Sequence, residues 1–336
     1  MKLIESKAEY IPQEEGLEGI YKAIELAGRT AYHSQDKITS DSAKDFVDRM
    51  IKSKHGAALE HGAVYLFYSV SCYDREGQKL VSKYESNPYS KVICVGVDDD
   101  EPAKDGNYYN LMGNEACGNE QYVITTNYRT LIENNWLGDL QYLCSPIEFH
   151  EKRHTMRFAC SRAIAQELTR HRVFSFLMES QRYINYSKER HGGEITFIIP
   201  QYLSELKEGR YINNNGDWYS NTEYADPTDI IMKDSETHNK WNSMLHCFSM
   251  AEQEYQYLLR IGATPQQARD VLPNATKTEL IMTGFSSDWR FLMNLRLFEN
   301  TGKVHPDMKD LMQKAQKAMK EADIWEDIMS KPSKFE

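Results

Sequence analysis

Hydrophobic positions recur every three or four residues over 16–28 (GLEGIYKAIELAG) and again over 41–54 (DSAKDFVDRMIKSK), which predicts two amphipathic helices, the second capped by Ser40 or Asp41. The pattern then changes. AVYLFYSVSCY at 63–73 is dense in β-branched and aromatic residues and predicts a strand, as does KVICVGV at 91–97, set between turn-forming and acidic stretches. A helix is expected around 125–140. In MRFACSRAIAQELTRHRVFSF (156–176) the central SRAIAQELTRHR is helix-compatible, with Ile164, Ala165 and Leu168 along one side. GEITFIIP at 193–200 predicts a short strand ended by Pro200, and 240–262 a long helix. Thr264-Pro265-Gln266-Gln267 combines an N-cap, a first-turn proline and a glutamine three residues after the cap, so a short helix carrying Arg269 should run to about Leu272. A further helix after Ser287 aligns Trp289, Leu292, Met293 and Arg296 on one face. An arginine on that apolar stripe requires a partner.

Composition narrows the class. With 336 residues, 40% hydrophobic, the chain can bury a sizeable core. No apolar run approaches the length of a membrane span, and the first residues, MKLIESKAEYIPQEE, hold no signal-like hydrophobic stretch, so the expected location is cytoplasmic. Cys72, Cys94, Cys117, Cys144, Cys160 and Cys247 are scattered without a CxxC pair, which reads as reduced thiols rather than a zinc ribbon or a disulfide framework. Cys160, nearest the motif below, lies on an apolar stretch and reads as a core thiol. A formal charge of -10 disfavours nucleic-acid or acidic-membrane partners. Locally the balance reverses: Arg157, Arg162, Arg170, Arg172, Arg182, Lys188 and Arg190 stand against Glu167, Glu179 and Glu189, and seven minus three leaves four positive charges that could focus on a small anion.

Within that stretch, Arg170-His171-Arg172-Val173 is followed by Ser180-Gln181-Arg182-Tyr183. Side chains of helical neighbours fan about 100° apart, so three adjacent cation-capable groups would grip more than one anionic group. Guanidinium forks with a hydroxyl and an amide beyond them fit a nucleotide phosphate. Cations near a helix C-terminus also complement the macrodipole, so the triplet alone decides little.

The Arg-His-Arg triplet, seven residues and then a serine resembles the signature of the flavin-dependent thymidylate synthases. The resemblance extends to His55-Gly56-Ala57-Ala58-Leu59-Glu60-His61 ahead of a strand, to Ala268-Arg269-Asp270-Val271-Leu272-Pro273, and to Trp289 through Arg296, in the same order. It implies an α+β fold, a mixed sheet flanked by helices with a mostly helical remainder, in one domain over 1–336 with an elaboration at about 73–146 that covers the site, mediates assembly or is neutral. It implies reductive methylation of dUMP to dTMP, with methylenetetrahydrofolate as carbon donor and NADPH-reduced FAD as hydride source, since no side chain supplies hydride. By the same resemblance Arg170, His171, Arg172 and Val173 hold FAD. Glu167, Arg170, Ser180, Gln181, Arg182 and Arg269 bind dUMP, and Arg296 sits at the uracil ring as the catalytic cation, favouring loss of the N3 proton. A homotetramer with shared active sites and no metal is implied. The chain departs from many members in having Ala57 and Ala58 before the Glu-His pair, Leu177 and Met178 where an Asn-Glu pair is common, with Glu179 beside Ser180, and Phe291 in place of Asn or His.

Two other readings stand beside this one. His150-Glu151-Lys152-Arg153-His154 satisfies the HExxH pattern of zinc metalloproteases, although Pro146 and the charged Lys152 and Arg153 suit such a helix poorly and the following HTMRFA can read as a strand. A nucleotide-binding module without redox chemistry would use the same arginines.

Overall fold

The computed structural model describes residues 1–71, 75–98, 119–182, 184–188, 193–214, 217–221 and 235–331; Cys72, Cys117, Tyr183, Glu189 and Arg190, singled out above, lie outside the described residues. The chain divides into two compact units. One comprises Met1–Ile11, Gly28–Asp36 and Thr155–Glu336, the other Pro12–Ala27 and Lys37–His154.

The second unit is built on a three-stranded antiparallel sheet in which β5 (Asn119–Asn127) lies between β3 (Ala63–Ser71) and β4 (Lys91–Asp98). The two strands expected at 63–73 and 91–97 are thus paired through a third, which the expected helix at 125–140 partly obscured. Asn127, paired with Ala63, is the last ladder residue, and its side chain turns the chain by accepting a hydrogen bond from Thr130 N–H at 3.0 Å. Only α5 (Tyr128–Glu133) is α-helical, followed by a 3₁₀ turn at Leu137–Tyr142. The predicted N-terminal helices form as α1 (Gly16–Ala31) and α2 (Ser42–Lys52), the latter starting after Asp41, and α4 (Arg75–Glu85) stands between β3 and β4 in the chain.

The His55–His61 loop contains the short helix α3 (Gly56–Leu59), after which Glu60 pairs with Arg129 at 2.5 Å. His61 is fully buried, and desolvation, reinforced by Arg153, lowers its pKa to about 3. It is therefore neutral in the fold and takes up a proton on unfolding below its ordinary value near 6.5. Stability should fall as pH drops through that range, by on the order of 2 kcal/mol at about pH 5 from this residue. Urea unfolding at pH 7 and about pH 5 checks this, and His61→Gln should flatten the dependence.

In the first unit, β1 (Lys2–Ile4) pairs parallel with β8 (Thr196–Ile198) and antiparallel with β9 (Gly209–Asn214), and β10 (Asp217–Asn221) completes a four-stranded mixed sheet. A second sheet has the order β2 (Lys7–Ile11), β6 (Arg153–Ser161), β11 (Lys277–Phe285), β7 (Ser175–Met178). The α+β class is as expected, but with three sheets rather than one among the described residues. The start of the 156–176 segment is strand: Met156, Phe158 and Cys160 point to the core on alternate positions, and Ser161 then caps α6 (Arg162–Leu168) by accepting from Ile164 N–H. Behind this sheet, Trp289, Leu292 and Met293 of α9 (Ser286–Arg296) join Met308, Leu311 and Met312 of α10 (Pro306–Glu321) in one apolar cluster. The long helix expected at 240–262 is α7 (Ser235–Arg260). Among the described residues no helix is long and apolar enough to cross a membrane.

Candidate functional site

The Arg-His-Arg triplet does not continue α6. The helix closes at Leu168 with Thr169 as its C-cap, and His171 N–H bonds back to the Leu168 carbonyl while Phe174 N–H bonds to that of His171. The cations are consequently fanned by a turn rather than by helical geometry. Arg170, Arg172 and Val173 face solvent, whereas His171 is half-buried.

His171 meets the arginine on the apolar stripe of α9. Arg296 Nε donates to His171 Nε2 at 3.1 Å, and Arg296 Nη1 lies 3.6 Å from Glu167 Oε2, one turn back on α6. Burial, then the charges of Arg296 and Arg170, lower the pKa of His171 to about 4. The imidazole is therefore neutral, its Nε2 lone pair takes the guanidinium N–H, and its proton resides on Nδ1. A guanidinium held by one neutral ring and one carboxylate keeps a fixed direction and most of its charge, as a group meant to polarise a bound ring would require.

A second group of side chains forms at the other end of α6. Arg162, its first residue, donates from Nη1 to Gln181 Oε1, and Arg182 Nε donates to Gln266 Oε1 at 3.2 Å. Gln266 belongs to α8 (Pro265–Ala268), which starts as the Thr264 motif predicts: Thr264 N–H donates to Gln267 Oε1 at 2.9 Å. Arg269 follows immediately, opening a 3₁₀ turn with its guanidinium 3.9 Å from Asp270. The structure thus joins Arg182 to the helix that carries Arg269, and joins Arg296 to His171 and Glu167. Glu167 lies five residues beyond Arg162, about 7.5 Å along the helix axis, so α6 spans the two groups. Among the described contacts none links the groups directly. A cavity of about 390 Å³ between Asn185, Ser187 and the end of α7 is lined by none of these residues.

Arg162, Gln266 and Glu179 were not singled out by sequence as site residues. Glu179 is fully buried behind Ser180. Burial acts to raise its pKa, but the hydrogen bond from His33, the charge of Lys277 and the hydroxyl of Tyr186 outweigh this and bring it to about 2. Ser180 itself is half-buried, and its N–H is held by the Ala31 carbonyl at 3.1 Å.

The HExxH pattern fails on geometry. His150 precedes β6 in a bend and His154 lies on the strand, so the two imidazoles are not one helical turn apart. His150 is also committed to backbone: its Nδ1 accepts from Ile147 N–H at 3.1 Å, and its Nε2 contacts the Leu66 carbonyl at 3.2 Å. Among the described residues no group of three or more His, Cys, Asp or Glu is placed to hold a metal ion.

Fold and site together define an α+β protein that gathers guanidinium groups at both ends of one short helix, a class suited to anionic ligands. Residues 125–323 match the family described as thymidylate synthase complementing protein, and the chain belongs to this family, the flavin-dependent thymidylate synthases. Among its relatives are the flavin-dependent thymidylate synthases of Corynebacterium efficiens, 30% identical over 141 residues (42% of this chain, 47% of that protein), and Pyrococcus furiosus, 30% identical over 141 residues (42% and 44%). The chain therefore spans slightly less than half the length of the curated relatives it matches. A crystal structure of the UMP/dUMP methylase PolB from Streptomyces cacaoi, bound with 5-Br UMP, aligns with 98% of this chain and 95% of its own at 15% identity, with a TM-score of only 0.41.

Proposed function

We propose that the protein is a flavin-dependent thymidylate synthase that converts dUMP to dTMP, taking the carbon from methylenetetrahydrofolate and reducing equivalents from NADPH. The observation that carries this reading is the Arg296 guanidinium fixed between neutral His171 and Glu167. Placed against a uracil ring, it would favour loss of the N3 proton and so raise electron density at the carbon to be alkylated. Glu167 and Arg170 would contact the same nucleotide. Ser180, Gln181, Arg182 and Arg269 would hold its phosphate, with Arg162 and Gln266 fixing the directions of Gln181 and Arg182.

The donor set at the end of α6 fits FAD. Arg170 and Arg172 are exposed cations suited to a diphosphate, and His171 and the exposed Val173 offer a neutral ring and an apolar surface beside them. When bound, FAD supplies the hydride that completes the methyl group. The protein's part is to bind, orient and polarise. A homotetramer with shared active sites is the assembly that the family resemblance implies.

The test is direct. Purified protein should be yellow, should lose its visible flavin absorbance on adding NADPH, and should form dTMP from dUMP and methylenetetrahydrofolate. A colourless protein that binds dUMP would instead be a nucleotide-binding module, and the proposal would be wrong. Ser180→Ala should raise the KM for dUMP by about tenfold, the cost of one hydrogen bond to a charged group.

A further inference from the structure

The loop that carries Ser180, Gln181 and Arg182 is organised by a carboxylate outside the proposed ligand set. Glu179 Oε2 lies 3.1 Å from His33 Nε2, 3.3 Å from Lys277 Nζ and 3.2 Å from the Glu279 N–H, while Tyr186 O–H donates to Oε1 at 2.5 Å. Its side chain is wholly inaccessible. Such a desolvated charge persists only where donors satisfy it, and an apolar residue would fill the same space at lower cost. Retention of the charge therefore points to what the donors hold in place.

Each donor fixes a different boundary of the loop. Tyr186 lies seven residues on, so its bond ties the chain back to the residue before Ser180. Between the two, Ile184 N–H bonds to the Ser180 carbonyl at 3.2 Å. The Tyr186 N–H donates to the hydroxyl of Tyr255 on α7 at 3.4 Å, a longer contact from behind the loop. His33 and Ala31 grip from the end of α1, one at the Glu179 carboxylate and the other at the Ser180 N–H. Lys277 bridges Glu179 to Glu279, the latter at 2.6 Å. It follows Thr276, whose carbonyl accepts from Arg162 N–H, so the start of α6 and the base of the loop share one anchor. Lys277 also offsets negative charge that would otherwise oppose a bound anion.

We propose that Glu179 is a positioning residue for the nucleotide phosphate: by gathering His33, Tyr186, Lys277 and the Glu279 N–H, it fixes the turn that presents Ser180, Gln181 and Arg182. The inference rests on the reading that this turn binds the phosphate of dUMP. It distinguishes Glu179 from a residue needed only for folding, because its effect should fall on ligands that carry the phosphate.

The experiment compares dUMP with deoxyuridine, which lacks the phosphate, in wild-type protein, Glu179→Gln and Tyr186→Phe, with FAD content and melting temperature recorded for each. Glu179→Gln should raise the KM for dUMP about tenfold, with kcat at saturating dUMP within about twofold, FAD content unchanged and deoxyuridine affinity equal to wild type. Tyr186→Phe should act in the same direction less strongly, and it decides the question if Glu179→Gln does not fold. An unchanged KM for dUMP in folded variants, or equal weakening of dUMP and deoxyuridine, overturns the proposal. If wild-type protein neither binds dUMP nor forms dTMP, the proposed function fails and this inference falls with it. If wild type is active and the variants match it, the inference alone is lost.

Discussion

Arg296→Ala should lower kcat for the proposed dTMP formation by about 10²–10³-fold and leave FAD bound, the size of effect seen when one preorganised electrostatic donor is removed from a site. The variant deletes a cation held on two sides, by His171 on the turn after α6 and by Glu167 on α6 itself. Its loss leaves Glu167 as an uncompensated half-buried carboxylate close to the proposed uracil position, so charge on the activated ring is opposed as well as unsupported. His171 should stay neutral at pH 7, because burial is the largest cause of its depressed pKa and does not depend on Arg296. Of the proposed FAD contacts, His171 bonds Arg296, but Arg170, Arg172 and Val173 lie on the turn with no described bond to α9 and should keep the cofactor in place. Single-turnover formation of dTMP at saturating dUMP, with flavin absorbance recorded on the same sample, measures both halves. Arg296→Lys should recover little, since an ammonium cannot reach the imidazole and the carboxylate together in the geometry of a planar fork. Full activity in Arg296→Ala would remove the residue from the chemistry.

How far this site could be read from sequence depends on distance along the chain. The stripe that puts Arg296 with Trp289, Leu292 and Met293 is local, and its periodicity was visible; so was the Thr264 start of α8 and the position of Arg170 at a helix end. His171 lies 125 residues before Arg296, and no local pattern announces their contact. Glu179 reads in sequence as one acid between Met178 and Ser180, because its donors come from α1, β11 and a loop that are joined only by folding. In RHTMRFACS the apolar residues alternate with a period of two, so HTMRFA reads as a strand, although the helix-compatible run beyond Ser161 hides where that strand ends. The 125–140 segment is harder to read. In the 125–140 region strand, helix and 3₁₀ turn follow each other within eighteen residues or so, too short for either period to declare itself.

Packing beneath the site sets the largest expected effect on stability: Trp289→Ala should cost about 3–5 kcal/mol, the usual range for emptying a buried aromatic site. Trp289 has no exposed surface, and its indole meets the Phe174 ring edge-on at 4.8 Å between centroids and the Phe158 ring at 6.4 Å. Phe174 is the second residue after Arg172, and the other side of its ring is closed by Gly284, where an added Cβ would lie 2.3 Å from Phe174 Cδ1. The ring is thus confined between a glycine that yields space and an indole that takes it up. Because Phe174 N–H is bonded to the His171 carbonyl, its freedom sets that of the turn, while Trp289 also anchors the helix that ends in Arg296. Removing the indole loosens both sides of the His171–Arg296 contact, so activity should fall even at temperatures where the variant remains folded. Urea unfolding of Trp289→Ala and Trp289→Phe, with kcat measured well below each transition, separates the two effects. Trp289→Phe should lose less of both, because a smaller ring still faces Phe174. A stability change under about 1 kcal/mol for Trp289→Ala would show that the cluster collapses around the gap, and that the turn carrying the cations is held by something other than this stack.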